Sequence, residues 1–254
     1  MPVCRVPLLI GCDSVGIPLR SIRLIFFRPK LITIMGWVMI PLNRALLGGV
    51  VLLTLNSVQA QTSANIYLQG GAQPGALACV ACHGADGMGL APAGFPRLAG
   101  ISADYLSKQL HDFQSGKRVS PVMQPLAKAL TDDEIALVTQ AITAMPAPPV
   151  PPINRSSMPE GVGETLALRG AWDRQIPECV SCHGPGGAGV GSAFPPLANQ
   201  PALYLVAQLN AWRDGSRKND PNDLMGHIAK AMSEDEVKAV AEYFSTVGHK
   251  EVAP

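Results

Sequence analysis

Aromatic residues are scarce in this sequence, and neither sign of charge dominates it. Phe, Trp and Tyr make up 5% of the 254 residues, whereas Gly and Pro number 25 and 23. This composition disfavours one large sheet and favours small helical domains joined by long loops. The first 60 residues hold six of the 20 basic residues and one of the 19 acidic residues, so the rest of the chain is mildly acidic. Such a body offers little to a phosphate backbone, and nucleic-acid binding is not expected.

The N-terminal region lacks an apolar run of membrane-spanning length. Its stretch Ala45–Leu55 is shorter than the roughly 20 residues that a spanning helix needs, and Arg44 separates it from the apolar Leu31–Leu42. Val58-Gln59-Ala60 follows, with small residues at the two positions that a signal peptidase reads. We therefore predict that residues 1–60 are a targeting segment that is cleaved on export. An uncleaved membrane anchor is the alternative.

The length of this segment also bears on where translation begins. Counted from Met1, it is about twice as long as the usual signal peptide of roughly 15–30 residues. Counted from Met35 or Met39, its length is ordinary. We predict that translation starts at one of these two methionines and that the mature chain begins near Gln61.

Four of the six cysteines form two copies of one motif, and the other two lie in the segment that is expected to be removed. The copies are Cys79-Val80-Ala81-Cys82-His83 and Cys179-Val180-Ser181-Cys182-His183. The spacing Cys-x-x-Cys-His is typical of c-type haem attachment. Two thiols one helical turn apart can each add to a vinyl group of haem, and the adjacent His then reaches the iron as an axial ligand. The predicted attachment residues of two covalent haems are Cys79, Cys82, Cys179 and Cys182, and the predicted iron ligands are His83 and His183.

Other uses of the Cys-x-x-Cys spacing fit this sequence less well. A redox dithiol of the thioredoxin type expects a strand–helix–strand context, which the sequence does not show. A zinc site built from both pairs would need cysteines 100 positions apart to converge, and it would leave both motif histidines without a role. A structural disulfide within one motif would be strained. Haem attachment is therefore the best interpretation.

The cysteine motif belongs to a longer internal repeat. The matching segments, first copy before second, are Phe95-Pro96-Arg97-Leu98-Ala99 and Phe194-Pro195-Pro196-Leu197-Ala198, Tyr105-Leu106 and Tyr204-Leu205, Gln109-Leu110 and Gln208-Leu209, and Gly116-Lys117-Arg118 and Gly215-Ser216-Arg217. Corresponding residues lie 99 to 102 positions apart, which indicates a duplicated domain. The proline-rich run Pro146–Ile153 favours an extended spacer between the copies. We predict domains at 61–146 and 161–254, joined by a linker at 147–160.

Helix signals recur in both copies, so the predicted fold class is all-α. Thr131–Glu134 and Ser233–Glu236 each fit a capping box, which predicts that a terminal helix begins there. Middle helices are predicted at about Ser102–Gln114 and Pro201–Asp214, the latter with its proline at the first helical position. A further helix is predicted at Gly163–Arg174, whereas its counterpart before the first motif should be short or broken. Because about 90 residues cannot build a generous core alone, each domain is expected to wrap around one haem.

The second axial ligands are predicted to be Met123 and Met225. These residues lie 40 and 42 positions after the motif histidines and occupy the same place in the repeat. A lone methionine is more often a core residue, but both copies keep this one while its neighbours differ. His111 and His227 are the rivals: the first is expected on the surface, and the second, two residues from Met225, competes more seriously. His/Met ligation raises the reduction potential relative to bis-His ligation, and it leaves no open position for a substrate.

Taken together, these motifs resemble the dihaem class I cytochromes c of the cytochrome c4 type, which are built from two domains of the c-553 type. The resemblance runs from near residue 64 to near residue 246. It implies that Pro96 and Pro195 supply the carbonyls that orient the motif histidines. It also implies periplasmic electron transfer, from a quinol-oxidising bc complex or a dehydrogenase toward a terminal oxidase.

Two functions fit these predictions, and a third fits poorly. The first is an electron carrier of a periplasmic respiratory chain, either soluble or peripherally associated with the membrane. The alternative is the cytochrome subunit of a periplasmic dehydrogenase complex. A catalytic role of its own, as a dihaem peroxidase or a thiosulfate oxidase, would need an iron with an open or labile position. We therefore predict an electron-transfer protein and not an enzyme.

The two halves of the chain also differ in net charge. Residues 61–146 hold five basic and six acidic residues, whereas residues 147–254 hold nine basic and 12 acidic residues. Negative charge favours ferric iron, which favours a lower reduction potential for the second haem. Exposure and local hydrogen bonds can reverse this order.

Overall fold

Helices carry the fold in the part of the chain that the computed structural model describes, residues 63–150, 152 and 157–247. All of these residues belong to one compact unit. The β structure among them is limited to isolated bridges, so the all-α prediction is confirmed. The predicted targeting segment 1–60 and the candidate start methionines within it lie outside the described residues. Within the described ranges, no helix combines the length and the apolar character needed to cross a bilayer.

Each half of the described chain has five α-helices in the same order. The first half has α1 (Ser63–Gln69), α2 (Val80–His83), α3 (Ala103–Ser115), α4 (Met123–Lys128) and α5 (Asp132–Thr143). The second half has α6 (Val162–Leu168), α7 (Cys179–His183), α8 (Ala202–Arg213), α9 (Leu224–Ala231) and α10 (Glu234–Thr246). The correspondence supports the predicted duplication, and the domain boundaries at 61–146 and 161–254 stay predictions.

The terminal helices α5 and α10 begin with the predicted capping boxes. The Glu134 backbone N–H donates to Thr131 Oγ1 at 3.2 Å, and the Thr131 N–H donates to Glu134 Oε2 at 2.9 Å. Ser233 and Glu236 make the same exchange at 3.2 and 2.8 Å. Each box satisfies backbone donors that the first turn of a helix leaves free. Three acidic residues in each first turn also suit the positive end of the helix dipole.

Each half has its own buried apolar cluster. In the first, Ile66 of α1 and Val138 of α5 are buried in one cluster. In the second, Leu166 of α6 and Val240 of α10 are buried in another. The terminal helix of each half therefore packs on the helix that precedes the cysteine motif.

Helix α6 is shorter than predicted. It ends at Leu168 and not at Arg174, because Gly170 adopts a left-handed φ of 71° and turns the chain. Helices α1 and α6 both have seven residues. Helix α1 is therefore short as predicted, but α6 is equally short, although it was expected to be the longer of the two. Near the start of α6, a Cβ on Gly163 would lie 2.1 Å from the Ala239 carbonyl oxygen. Only glycine allows α6 and α10 to approach so closely.

The middle helices begin within one residue of their predicted starts. The Tyr105 N–H donates to the Ser102 side chain at 3.3 Å, which caps α3. Pro201 precedes α8 with an extended ψ of 131°, so it is the N-cap residue. The prediction had placed it at the first helical position. The error is one residue, and it does not move the helix.

The described start of the linker lies against both halves. Residues 146–150 form neither helix nor strand. A Cβ on Gly100 would lie 2.4 Å from the Cβ of Ala147, which places the linker against the first half. Val150 packs on the apolar cluster of the second half. The proline-rich run is therefore packed on the protein at this end, in contrast to a free spacer.

Candidate functional site

Helix α7 holds both cysteines and the histidine of its motif, and helix α2 holds Cys82 and His83 with Cys79 as its N-cap residue. The rings are buried: His83 is 6% exposed and His183 is 7% exposed. His83 Nδ1 lies 3.0 Å from the Pro96 carbonyl oxygen, and His183 Nδ1 lies 2.7 Å from that of Pro195. When Nδ1–H donates to this carbonyl, the Nε2 lone pair of each ring is left for a metal ion.

A tight loop after each motif brings the proline carbonyl to the histidine. The Gly89 N–H donates to the His83 carbonyl at 2.8 Å. Gly89 has a φ of 81°, and a Cβ there would lie 2.7 Å from the Pro96 carbonyl oxygen. A side chain at this position would strain the backbone and push the carbonyl away from the ring.

Burial sets the protonation of the motif residues. It lowers the pKa of His83 and of His183, which keeps both imidazoles neutral and able to ligate. It raises the pKa of Cys79 to about 11 and that of Cys179 to about 12, so neither is a thiolate at neutral pH. The four motif cysteines form no disulfide.

A cavity of about 840 Å³ opens beside both motifs. Every residue predicted to attach or ligate haem lines it: Cys79, Cys82, His83, Pro96 and Met123 in the first half, and Cys179, Cys182, His183, Pro195 and Met225 in the second. Residues separated by some 40 positions in each half therefore line one cavity.

The rival ligands lie away from this cavity. His111 is exposed on α3, where its Nδ1 lies 2.9 Å from Gln114 Oε1. His227 is exposed on α9 and is not among the residues that line the cavity. Met123 and Met225 are half-buried and line it. The geometry favours the methionines as the second axial ligands.

One buried cation tests whether haem suits the cavity. Arg97 lines the cavity, is 2% exposed, and donates to the carbonyls of Ala99 and Ala198 at 2.5 and 3.2 Å. Its Nε is buried without a hydrogen-bond partner in the described residues. Burial lowers the pKa of Arg97 to about 10, so the guanidinium stays charged at neutral pH. A buried charge normally has a counter-charge, and the propionate carboxylates of haem would supply one.

A polar contact between the two halves was missed in the sequence. Arg118 Nη2 donates to the Tyr204 hydroxyl at 2.9 Å and to Gln208 Oε1 at 2.5 Å, both in the other half. Arg217 Nη2 donates to the Tyr105 hydroxyl at 3.1 Å and to Gln109 Oε1 at 3.2 Å. The two arginines thus exchange equivalent partners across the boundary. The duplicated Tyr-Leu-x-x-Gln-Leu and Gly-x-Arg segments hold these residues. Each glutamine also accepts from the arginine of its own half, at 3.0 Å for Gln109 and 2.9 Å for Gln208, so the repeat alone does not indicate a contact across the boundary.

The backbone reinforces the same contact. The Val119 N–H donates to the Ser216 carbonyl at 3.0 Å, and the Lys218 N–H donates to the Lys117 carbonyl at 2.8 Å. Burial and the neighbouring Arg118 lower the pKa of Arg217. This cost of bringing two cations together is offset by the hydrogen bonds that surround them.

Two segments of the chain, 69–140 and 174–248, match the family model described as cytochrome c. The chain belongs to the cytochrome c family. Each matched segment contains one Cys-x-x-Cys-His motif, so the protein carries two covalently bound haem c groups, and its fold is that of two class I cytochrome c domains. It is a dihaem cytochrome of the c4-like kind.

Known relatives are similar over most of this cytochrome. A thiosulfate dehydrogenase electron acceptor from Stutzerimonas stutzeri is 65% identical over 206 residues, which are 81% of this chain and 95% of the relative. The solved cytochrome c4 from Pseudomonas stutzeri is 32% identical with a TM-score of 0.59, and the match covers 66% of this chain and 93% of that chain.

A third relative is a larger protein. The solved thiosulfate dehydrogenase from Marichromatium purpuratum is 43% identical with a TM-score of 0.65, and the match covers 72% of this chain. The match spans only 39% of that longer chain. This cytochrome therefore corresponds to part of that protein.

Proposed function

We propose that this dihaem cytochrome accepts electrons from a thiosulfate dehydrogenase and passes them on in the periplasm. The observation that carries the proposal is the 65% identity to a thiosulfate dehydrogenase electron acceptor, over 95% of that relative's length. Of the two functions that fit the sequence, this evidence favours the cytochrome partner of a dehydrogenase over a carrier for the bc complex. A terminal oxidase is the proposed onward acceptor. Export follows from the predicted signal at 1–60.

The proposal includes the attachment and ligation of both haems. Thioether bonds form at Cys79 and Cys82 in the first half, and at Cys179 and Cys182 in the second. The proposed axial pairs are His83 with Met123 and His183 with Met225. When bound, each haem iron takes up and releases one electron.

The chain's own residues hold each site in one arrangement. The carbonyls of Pro96 and Pro195 orient the histidine rings, and burial keeps these rings neutral. Axial ligands that stay in place in both oxidation states keep the reorganisation on electron transfer small. The cross-contacts of Arg118 and Arg217 hold the two halves together. An electron can then pass between haems without a change in the protein fold.

The cavity mouth in the first half suits transient docking of a redox partner. Leu77, Val119 and Val122 line the cavity and are 65%, 53% and 47% exposed. An apolar rim of this kind is typical of a protein interaction site. It supports an electron-transfer partner that docks there and leaves again.

Mixing the proteins tests the proposed donor. The oxidised cytochrome, a purified thiosulfate dehydrogenase and thiosulfate should give rapid reduction of both haems in a stopped-flow spectrometer. Thiosulfate without the dehydrogenase is the control and should leave the cytochrome oxidised. The donor assignment fails if the dehydrogenase turns over with an artificial acceptor but does not reduce this cytochrome.

A further inference from the structure

The helices that carry the two ligand methionines begin in different ways. In the first half, the Met123 N–H donates to Ser120 Oγ at 3.1 Å. In the second half, the N–H groups of Met225 and Gly226 donate to Asp220 Oδ2, the latter at 3.3 Å. Ser120 and Asp220 both line the cavity and are both half-buried. The same hydrogen bond is therefore made by a neutral hydroxyl in one half and by a carboxylate in the other.

From this difference we propose that Asp220 lowers the reduction potential of the second haem, so that the two haems hold electrons unequally. The inference rests on the proposed ligation by Met225. Ferric haem carries one more positive charge than ferrous haem, so a fixed negative charge nearby stabilises the oxidised form. A half-buried carboxylate is screened less than one in water, which strengthens its effect.

Other charges around the cavity do not cancel this difference. Arg217 opposes Asp220 in the second half, but Arg118 occupies the equivalent place in the first half, so this pair does not distinguish the haems. Arg97 lies in the first half where the second has Pro196, and this extra cation favours ferrous iron in the first half. Glu178 lines the cavity where the first half has Ala78, and it adds further negative charge to the second half. Lys108 lines the cavity and donates to the Asn219 carbonyl at 2.9 Å, but its charge is paired with Asp112. Lys230 pairs with Asp223 at 3.3 Å.

The charge at each of the two positions, Ser120 and Asp220, can be changed while a side-chain oxygen remains to accept the backbone hydrogen bond. Asp220→Asn keeps a side-chain oxygen for the two N–H donors and removes the charge. It should raise the potential of the second haem alone, changing the electron distribution between the haems roughly three- to tenfold. Ser120→Asp should lower the potential of the first haem. Asp214→Asn is the matched control, because Asp214 is exposed in the same half, does not line the cavity, and likewise accepts from a backbone N–H, that of Ser216 at 2.8 Å; it should move neither haem.

Spectroelectrochemical titration of the holoproteins measures these shifts, with haem methyl resonances in NMR spectra assigning each midpoint to its domain. The sulfur–iron absorption band is recorded in the same samples. If Asp220→Asn keeps the band and leaves the second potential unchanged, the inference is wrong while the ligation stands. If that variant loses the band, Ser120→Asp decides, and an unshifted first haem overturns the inference. A wild-type protein without the band would refute the ligation itself.

Discussion

Replacing Arg118 by methionine should loosen the contact between the two halves without unfolding either one. The substitution removes the donors to Tyr204 and Gln208. Gln208 Oε1 still accepts from Arg217 Nη1 at 2.9 Å, whereas the Tyr204 hydroxyl loses the Arg118 donor. Hydrogen bonds to a charged partner contribute about 1.5–3 kcal/mol each. Relief of the repulsion from Arg217 offsets part of the free energy that is lost with two such bonds. We expect a net loss of about 2–4 kcal/mol.

Thermal unfolding of the holoprotein measures this loss. For a unit of this size, it corresponds to a fall in Tm of roughly 5–15 °C. Arg174→Met is the matched control, because Arg174 pairs with Glu236 within the second half and on the surface; it should not loosen the contact between the halves. Small-angle X-ray scattering should show a broader distance distribution for the Arg118 variant alone. Equal Tm values and scattering curves for the two variants would refute the role given to the cross-contact.

Three further predictions concern single sites. Met123→Ala and Met225→Ala should each remove half of the weak sulfur–iron band near the red end of the visible spectrum, and an unchanged band would contradict the ligand assignment. The Arg174 side chain lowers the pKa of Glu236 from 4.5 to about 2. The Glu236 carboxylate therefore stabilises the fold above pH 4.5 and loses that effect as the pH falls toward 2. Acid titrations monitored by circular dichroism should show a smaller loss of stability between pH 4.5 and pH 2 for Glu236→Gln than for the wild type. Gly163→Ala should destabilise the second half by roughly 1–3 kcal/mol, because the new Cβ meets the α10 backbone, and an unchanged guanidinium midpoint would contradict this.

Local chemistry made much of the fold predictable from the sequence. The capping boxes at Thr131 and Ser233 depend on residues three positions apart, and both helices begin where they predict. The ligand candidates Met123 and Met225 were predictable because the duplication singles out one methionine position that both copies share. Both line the same cavity as the motif histidines. Their bonding to iron stays a prediction, as do the attachment cysteines and the domain boundaries.

Contacts between the copies were not predictable by the same reasoning. Arg118 and Tyr204 lie 86 positions apart, and no local pattern indicates that a residue in one repeat serves the other. The repeat itself was visible, but a duplicated polar motif is equally compatible with a role inside each domain. The end of α6 was missed for a simpler reason, since Gly170 sits within an otherwise helical pattern and its left-handed conformation stops the helix.

The exchange of partners between Arg118 and Arg217 has the form of an isologous interface, in which one patch recognises its own copy. Two separate chains with such a patch would dimerise only above some concentration. Joined in one polypeptide, the copies meet at a high effective concentration however dilute the protein is. The linkage also constrains the evolution of both repeats, because a substitution of the arginine in one copy removes hydrogen bonds from the tyrosine and the glutamine of the other. A cytochrome built in this way always presents its two haems as a pair.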